Sequence, residues 1–183
     1  LRSACDAFGL RLYCDGARLA YALASPENDV SLPDLARLCD AFCIGGTKCG
    51  ALLGEAVVIP DPQLIPHFFT IIKQHGALLA KGRLLGLQFD TLFTDSLYFR
   101  IGETAVKAAD ALRRAFTEHG YELTFKSPTN QIFLTVTPGQ KARLDEILEY
   151  SFWEEAEGDN TVIRIATSWA TSEELVQKVI SML

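Results

Sequence analysis

Leu10-Arg11-Leu12-Tyr13-Cys14-Asp15-Gly16-Ala17-Arg18 and Ala41-Phe42-Cys43-Ile44-Gly45-Gly46-Thr47-Lys48-Cys49-Gly50 follow one plan. In each, a short apolar run with the residue types of a buried strand gives way to glycine and a charged side chain. Between them, Ser31-Leu32-Pro33-Asp34 has the form of a helix start, with serine as the cap and proline inside the first turn. That helix is expected to run to about Cys39. Strands are expected over residues 10–14, 41–44 and 55–59, and residues 1–8 read as the end of a helix broken at Gly9. Short apolar strands separated by helices indicate an α/β fold with a parallel sheet covered on both faces.

After Pro60-Asp61-Pro62 the character changes. Residues 64–80 are helical in period, and a second helical stretch runs over 84–119 until Gly120 closes it. Strands follow over 122–125, 131–136 and 161–167, with helices over 140–149 and 172–183. This order suits an α+β domain whose antiparallel sheet is covered on one side. The expected division is therefore 1–90 and 91–183.

Composition narrows the function. The chain has 183 residues, 49% hydrophobic and 22% charged, with a formal net charge of -6. These values belong to an ordinary globular protein with a real core. The basic residues are scattered, so no nucleic-acid-binding face is expected. No apolar run approaches the roughly 20 residues of a membrane helix, and residues 1–6 lack the layout of a signal peptide. The single methionine, Met182, is next to the last residue. We therefore expect the first residue not to be where the gene begins, and the chain to be a piece of something longer. Cys5, Cys14, Cys39, Cys43 and Cys49 form no CxxC pair. They read as free thiols of a reducing compartment, the cytoplasm, with no metal site.

In open α/β sheets, ligands sit beyond the carboxyl ends of the strands. Asp15 and Lys48 both stand there, each beside glycines that let a planar ligand and the backbone come close. A lysine held between apolar strands would be desolvated, which favours the neutral, nucleophilic amine. A nearby carboxylate would keep a cationic ring nitrogen protonated. On the residues alone the bland readings stay open: Asp15 as a turn former, Lys48 as a solvated loop residue. The Gly-Gly-Thr-Lys-Cys-Gly run lacks the glycine spacing of a Walker A loop.

The combination is more specific. The segments Leu12-Tyr13-Cys14-Asp15-Gly16-Ala17-Arg18-Leu19, Asp34-Leu35-Ala36-Arg37-Leu38-Cys39-Asp40 and Gly45-Gly46-Thr47-Lys48-Cys49-Gly50 resemble the threonine aldolase and aromatic amino acid β-eliminating lyase family. The match extends through Lys81-Gly82-Arg83-Leu84-Leu85-Gly86 to Arg164-Ile165-Ala166-Thr167-Ser168-Trp169. Among its members, this chain looks most similar to the low-specificity threonine aldolases.

The resemblance implies a pyridoxal 5'-phosphate enzyme of fold type I. Residues 1–90 would be the second half of an aspartate aminotransferase-type large domain, and 91–183 a small α+β domain. Lys48 would form the internal imine with the cofactor and move a proton in catalysis. Asp15 would pair with the pyridine nitrogen, Arg18 would donate to the phenolic oxygen, and Arg83 would bind a phosphate belonging to the neighbouring subunit. Arg164 would grip the substrate carboxylate. Arg83 also reads as plain helix surface, and Arg164 also as a structural pair within a strand.

The implied reaction is cleavage of the Cα–Cβ bond of a β-hydroxy amino acid, threonine or allo-threonine to glycine and acetaldehyde. The alternatives are β-elimination on the same scaffold and an inactive fragment. In the family, the phosphate loop and the side chain stacked on the ring lie upstream of the Asp-Gly-Ala-Arg segment. The resemblance thus implies a missing N-terminal half, a chain inactive alone, and a homodimer or homotetramer when intact.

Overall fold

The computed structural model describes residues 1–183. The chain divides into two compact units, one of Leu1–Leu23 and Asp29–Tyr98, the other of Ala24–Asn28 and Phe99–Leu183.

The first unit opens with α1 (Arg2–Ala7), and Gly9 follows in the left-handed region at φ 62°. β1 (Tyr13–Cys14) leads to α2 (Leu19–Leu23), then α3 (Leu32–Leu38), β2 (Ala41–Gly45) and β3 (Glu55–Val58). Ser31 caps α3 as its sequence indicates, in a reciprocal capping box with Asp34. β1 and β2 are parallel, with Tyr13 opposite Ala41 and Cys14 opposite Phe42. β3 runs antiparallel to β2, so the expectation of an all-parallel sheet is corrected. The connection from Gly46 to Gly54 is shorter than the dozen or so residues that a parallel crossover takes.

A polar clamp closes the entry end of this sheet. Asp40 accepts from the Leu12 N–H at 2.7 Å, from Arg2 at 2.7 Å and from Arg11 at 2.8 Å. The Leu12 amide first, and then the two guanidiniums, hold the Asp40 carboxyl well below the usual carboxylate range.

The expected helix over 64–80 shrinks to α4 (Phe68–Gln74). Pro66 disfavours helix before it, and Gly76 at φ 67° ends the turn after it. The long helix over 84–119 is two helices, α5 (Arg83–Phe93) and α6 (Leu97–Glu118). Asp95 and Ser96 separate them with φ of 50° and 58°.

The second unit takes α6 from Phe99 onward, with β4 (Glu122–Leu123), β5 (Gln131–Val136), α7 (Pro138–Asp145), β6 (Ser151–Glu155), β7 (Thr161–Ala166) and α8 (Glu173–Met182). Its sheet is antiparallel, in the order β4-β5-β7-β6. Alternation along β5 and β7 sends Ile132, Leu134, Val136, Ile163 and Ile165 to one face. There they pack with Ala109, Leu112 and Phe116 of α6, Leu144 of α7 and Val176 of α8. β6 is an addition to the sequence reading. All five of its residues are exposed, so no alternation marks it.

Candidate active site

The exits of β1 and β2 meet backbone to backbone. The Gly45 N–H donates to the Gly16 carbonyl at 2.9 Å, and the Leu19 N–H donates to the same oxygen at 3.0 Å as α2 begins. A methyl group at Gly16 would stand 1.8 Å from the Cys43 carbonyl oxygen, and one at Gly45 would stand 2.4 Å from that of Ala17. Both positions therefore require glycine for close approach, not for a left-handed turn. The contact sets the Asp15-Gly16-Ala17-Arg18 segment beside the strand end that leads to Lys48.

Asp15 is exposed, and one of its oxygens accepts from the Ala17 N–H at 3.0 Å. The turn-forming role read for it is thus present, and it uses one side of the carboxylate. Arg18 is half-buried at the entrance to α2. Just before Asp15, the Tyr13 hydroxyl lies 2.8 Å from Cys43 Sγ, a bond that pushes the phenol up to about 12.

Lys48 sits in a single 3-10 turn, Thr47–Cys49, between Gly46 and Gly50, the latter at φ 96°. Its side chain is exposed, not enclosed between apolar strands as the sequence led us to expect. The turn carries it past the end of the sheet. Its main chain, in contrast, is firmly held. The Tyr21 hydroxyl of α2 donates to the Lys48 carbonyl. The Tyr98 hydroxyl accepts from the Ala20 N–H and donates to the Gly45 carbonyl, both at 3.1 Å. Cys49 is wholly buried in hydrogen-bonding reach of both tyrosines, and burial pushes its thiol up.

α5 supports the loop that follows. Gln88 accepts from the Leu52 N–H at 2.6 Å, and Phe89 lies behind Gly46, where a methyl would approach it to 3.2 Å. Arg83 is the first residue of the same helix and is exposed.

Arg164 belongs to the second unit, on the sheet face opposite the helices. Directly across from it stand Phe133 on β5 and Ser151 on β6. A bulge between Phe152 and Glu154 turns Trp153 onto this face, where the guanidinium lies 5.4 Å from the ring centre. The two terminal nitrogens make only long bonds, 3.5 Å to Gln131 Oε1 and 3.4 Å to Ser151 Oγ. Nε is enclosed without a protein acceptor. A buried donor in that state is rare in folded proteins.

Asp15, Arg18 and Lys48 are thus gathered at the carboxyl ends of neighbouring strands. Arg83 is carried by the helix that supports the following loop, and Arg164 is on a separate unit. Tyr21, Tyr98, Gln131, Ser151 and Trp153 were not evident from the sequence.

No family model matches the chain. The low specificity L-threonine aldolase of Pseudomonas sp. (strain NCIMB 10558) is 30% identical over 138 residues, 75% of this chain and 40% of that protein. A solved Leishmania major threonine aldolase is 40% identical with a TM-score of 0.92, over 99% of this chain and 53% of that one. A serine palmitoyltransferase from S. paucimobilis, solved with bound PLP, shares the fold at 14% identity, with a TM-score of 0.65 over 98% of this chain and 48% of that one. The chain spans about half the length of the relatives it matches. In sequence and in fold, it is a mixed α/β chain that resembles the threonine aldolases along nearly all of its own length.

Proposed function

We propose that the whole protein cleaves the Cα–Cβ bond of threonine or allo-threonine to give glycine and acetaldehyde, with pyridoxal 5'-phosphate held on Lys48. The observation that carries this is the backbone-to-backbone meeting of the Asp15 and Lys48 strand exits at two glycines that tolerate no side chain. A planar cofactor with an aldehyde at one edge and a ring nitrogen at another fits that donor set. When bound, its ring supplies an electron sink.

In this reading Lys48 would hold the group through its amine, which would afterwards be free to move a proton. The side of Asp15 away from Ala17 holds the proton on the ring nitrogen. Arg18 donates to the phenolic oxygen, and Arg83 binds a phosphate of a neighbouring subunit in a homodimer or homotetramer. Arg164, with an enclosed Nε and two long bonds, takes the substrate carboxylate as a fork. Its grip would orient the substrate and so bear on reaction specificity as well as on affinity. The first unit would be part of the cofactor-binding large domain and the second the small domain, with an N-terminal half completing the site. No helix is long and apolar enough to cross a membrane, and five free thiols fit the cytoplasm.

Borohydride reduction with pyridoxal phosphate, followed by peptide mapping, tests this on both the full-length protein and the present chain. We expect a phosphopyridoxyl adduct at Lys48 in the full-length protein, lost in Lys48→Ala. Product analysis should then give glycine and acetaldehyde. Pyruvate and ammonia would instead assign a β-eliminating lyase, and no adduct at Lys48 would sink the enzyme reading.

A further inference from the structure

We infer that Tyr21 is a positioning residue for Lys48, setting the place of the lysine main chain relative to the Asp15 segment. The inference rests on Lys48 carrying the cofactor, as proposed above. A lysine side chain has four rotatable carbon bonds and here is exposed. Where its amine arrives is therefore reproducible only if the backbone from which it springs is fixed. That backbone has little stiffness of its own. It is a three-residue turn flanked by glycines, closed by the Cys49 N–H to Gly46 carbonyl bond at 2.8 Å and the Ala51 N–H to the same oxygen at 3.1 Å.

Tyr21 supplies the missing restraint. It is 1% exposed and rooted in α2, the helix that begins directly after Asp15-Gly16-Ala17-Arg18. Its hydroxyl donates to the carbonyl of Lys48 itself. One buried side chain thus spans from the helix behind the carboxylate to the residue that bears the amine. Those are the two groups that would hold opposite edges of one rigid ring, so their separation has to match it. Tyr98 offers an internal comparison. It is equally buried, but its hydroxyl braces Ala20 against Gly45 and leaves the Lys48 carbonyl to Tyr21.

The test uses the full-length protein with Tyr21→Phe and Tyr98→Phe, each of which removes one oxygen from a ring that stays buried. For Tyr21→Phe we expect a cooperative melt and kcat lowered by about tenfold with KM changed by less than about twofold. The pH titration of the cofactor absorbance at Lys48 should also shift its midpoint. For Tyr98→Phe, whose hydroxyl bonds Ala20 and Gly45 and not Lys48, we expect a lower Tm and a smaller fall in kcat than for Tyr21→Phe, with a smaller shift of the absorbance titration. A Tyr21→Phe protein matching wild type in both kcat and titration would overturn the inference. So would two variants that change both quantities alike.

If Tyr21→Phe does not fold, 3-fluorotyrosine at position 21 keeps the ring and the hydroxyl while making it a stronger donor. A shifted absorbance titration supports the role, and an unshifted one overturns it. Borohydride trapping in the wild type separates the two levels. An adduct at Lys48 with an indifferent Tyr21 defeats only the positioning role, whereas no adduct defeats the cofactor reading as well.

Discussion

In the second unit Ile132, Leu134, Val136, Leu144 and Ile163 are wholly enclosed, whereas in the first unit Leu10, Tyr13, Leu52, Phe69 and Leu84 stand more than half exposed. Each unit contains a sheet, of three strands in the first and four in the second, and the two are secured differently. The second is held by side chains interdigitating between a four-stranded sheet and three helices. The first buries a smaller apolar set, Leu19, Leu35, Phe42, Ile44 and Leu92, and adds backbone contact and polar braces. These are the Gly16–Gly45 approach, the Asp40 clamp, and the hydroxyls of Tyr21 and Tyr98. Apolar packing tolerates small adjustments of each member, while a brace of this kind is present or absent. The candidate lysine sits on the second sort of support.

The contrast can be broken by substitution. The largest effect is expected from Leu134→Ala, which removes buried methyl groups from the second unit's core at a cost of about 2–5 kcal/mol. Denaturant unfolding should show that loss. Amide exchange should show it in β5 and β7, while β1 and β2 keep their protection. Equal loss in both units would mean that they do not unfold separately.

Gly16→Ala comes next. Its methyl cannot occupy the place of the Cys43 carbonyl, so the two strand exits must part, at a cost of about 1–3 kcal/mol. Its sharper mark should be loss of the Lys48 adduct in the full-length protein, with protection of β5 and β7 unchanged. An undiminished adduct would separate the glycine contact from the site.

The third comparison uses matched devices. Ser31 caps α3 in the first unit and Thr137 caps α7 in the second, each in a capping box. Ser31→Ala and Thr137→Ala should each cost about 1 kcal/mol, because a cap is a local device that owes little to either style of core. A large inequality in melting shifts would tie one cap to its unit's packing.

The smallest effect is one of pH. Because the folded Asp40 carboxyl is depressed, its contribution is whole above the unfolded carboxylate range, near pH 4. It is lost as pH falls from there toward the folded value. The acid limb of stability should therefore flatten in Asp40→Asn, with β1 and β2 losing protection first. An acid limb unchanged by Asp40→Asn would remove the clamp from the pH response.

These supports explain what could be read in advance. β5 lies where its alternating residues put it, and α3 starts at the serine that announces it. The exits at Asp15 and Lys48 were legible because glycine, charge and apolar run fall together within a few residues. Other features were not local. β6 is an edge strand with no buried member, so nothing in Ser151-Phe152-Trp153-Glu154-Glu155 alternates. The break between α5 and α6 uses Asp95 and Ser96 where glycine would have signalled it. A buried tyrosine implies some partner for its hydroxyl. Sequence spacing alone did not pair Tyr98 with Gly45, 53 residues away.

The enclosed thiol of Cys49 turns the lysine turn into its own reporter. Cys5 and Cys14 are partly accessible, whereas Cys39, Cys43 and Cys49 are buried, Cys49 completely. An alkylating reagent therefore meets a graded series of targets, and burial keeps Cys49 in its less reactive thiol form. Pulse labelling read out by mass would time the opening of the turn that carries Lys48 without any cofactor or substrate.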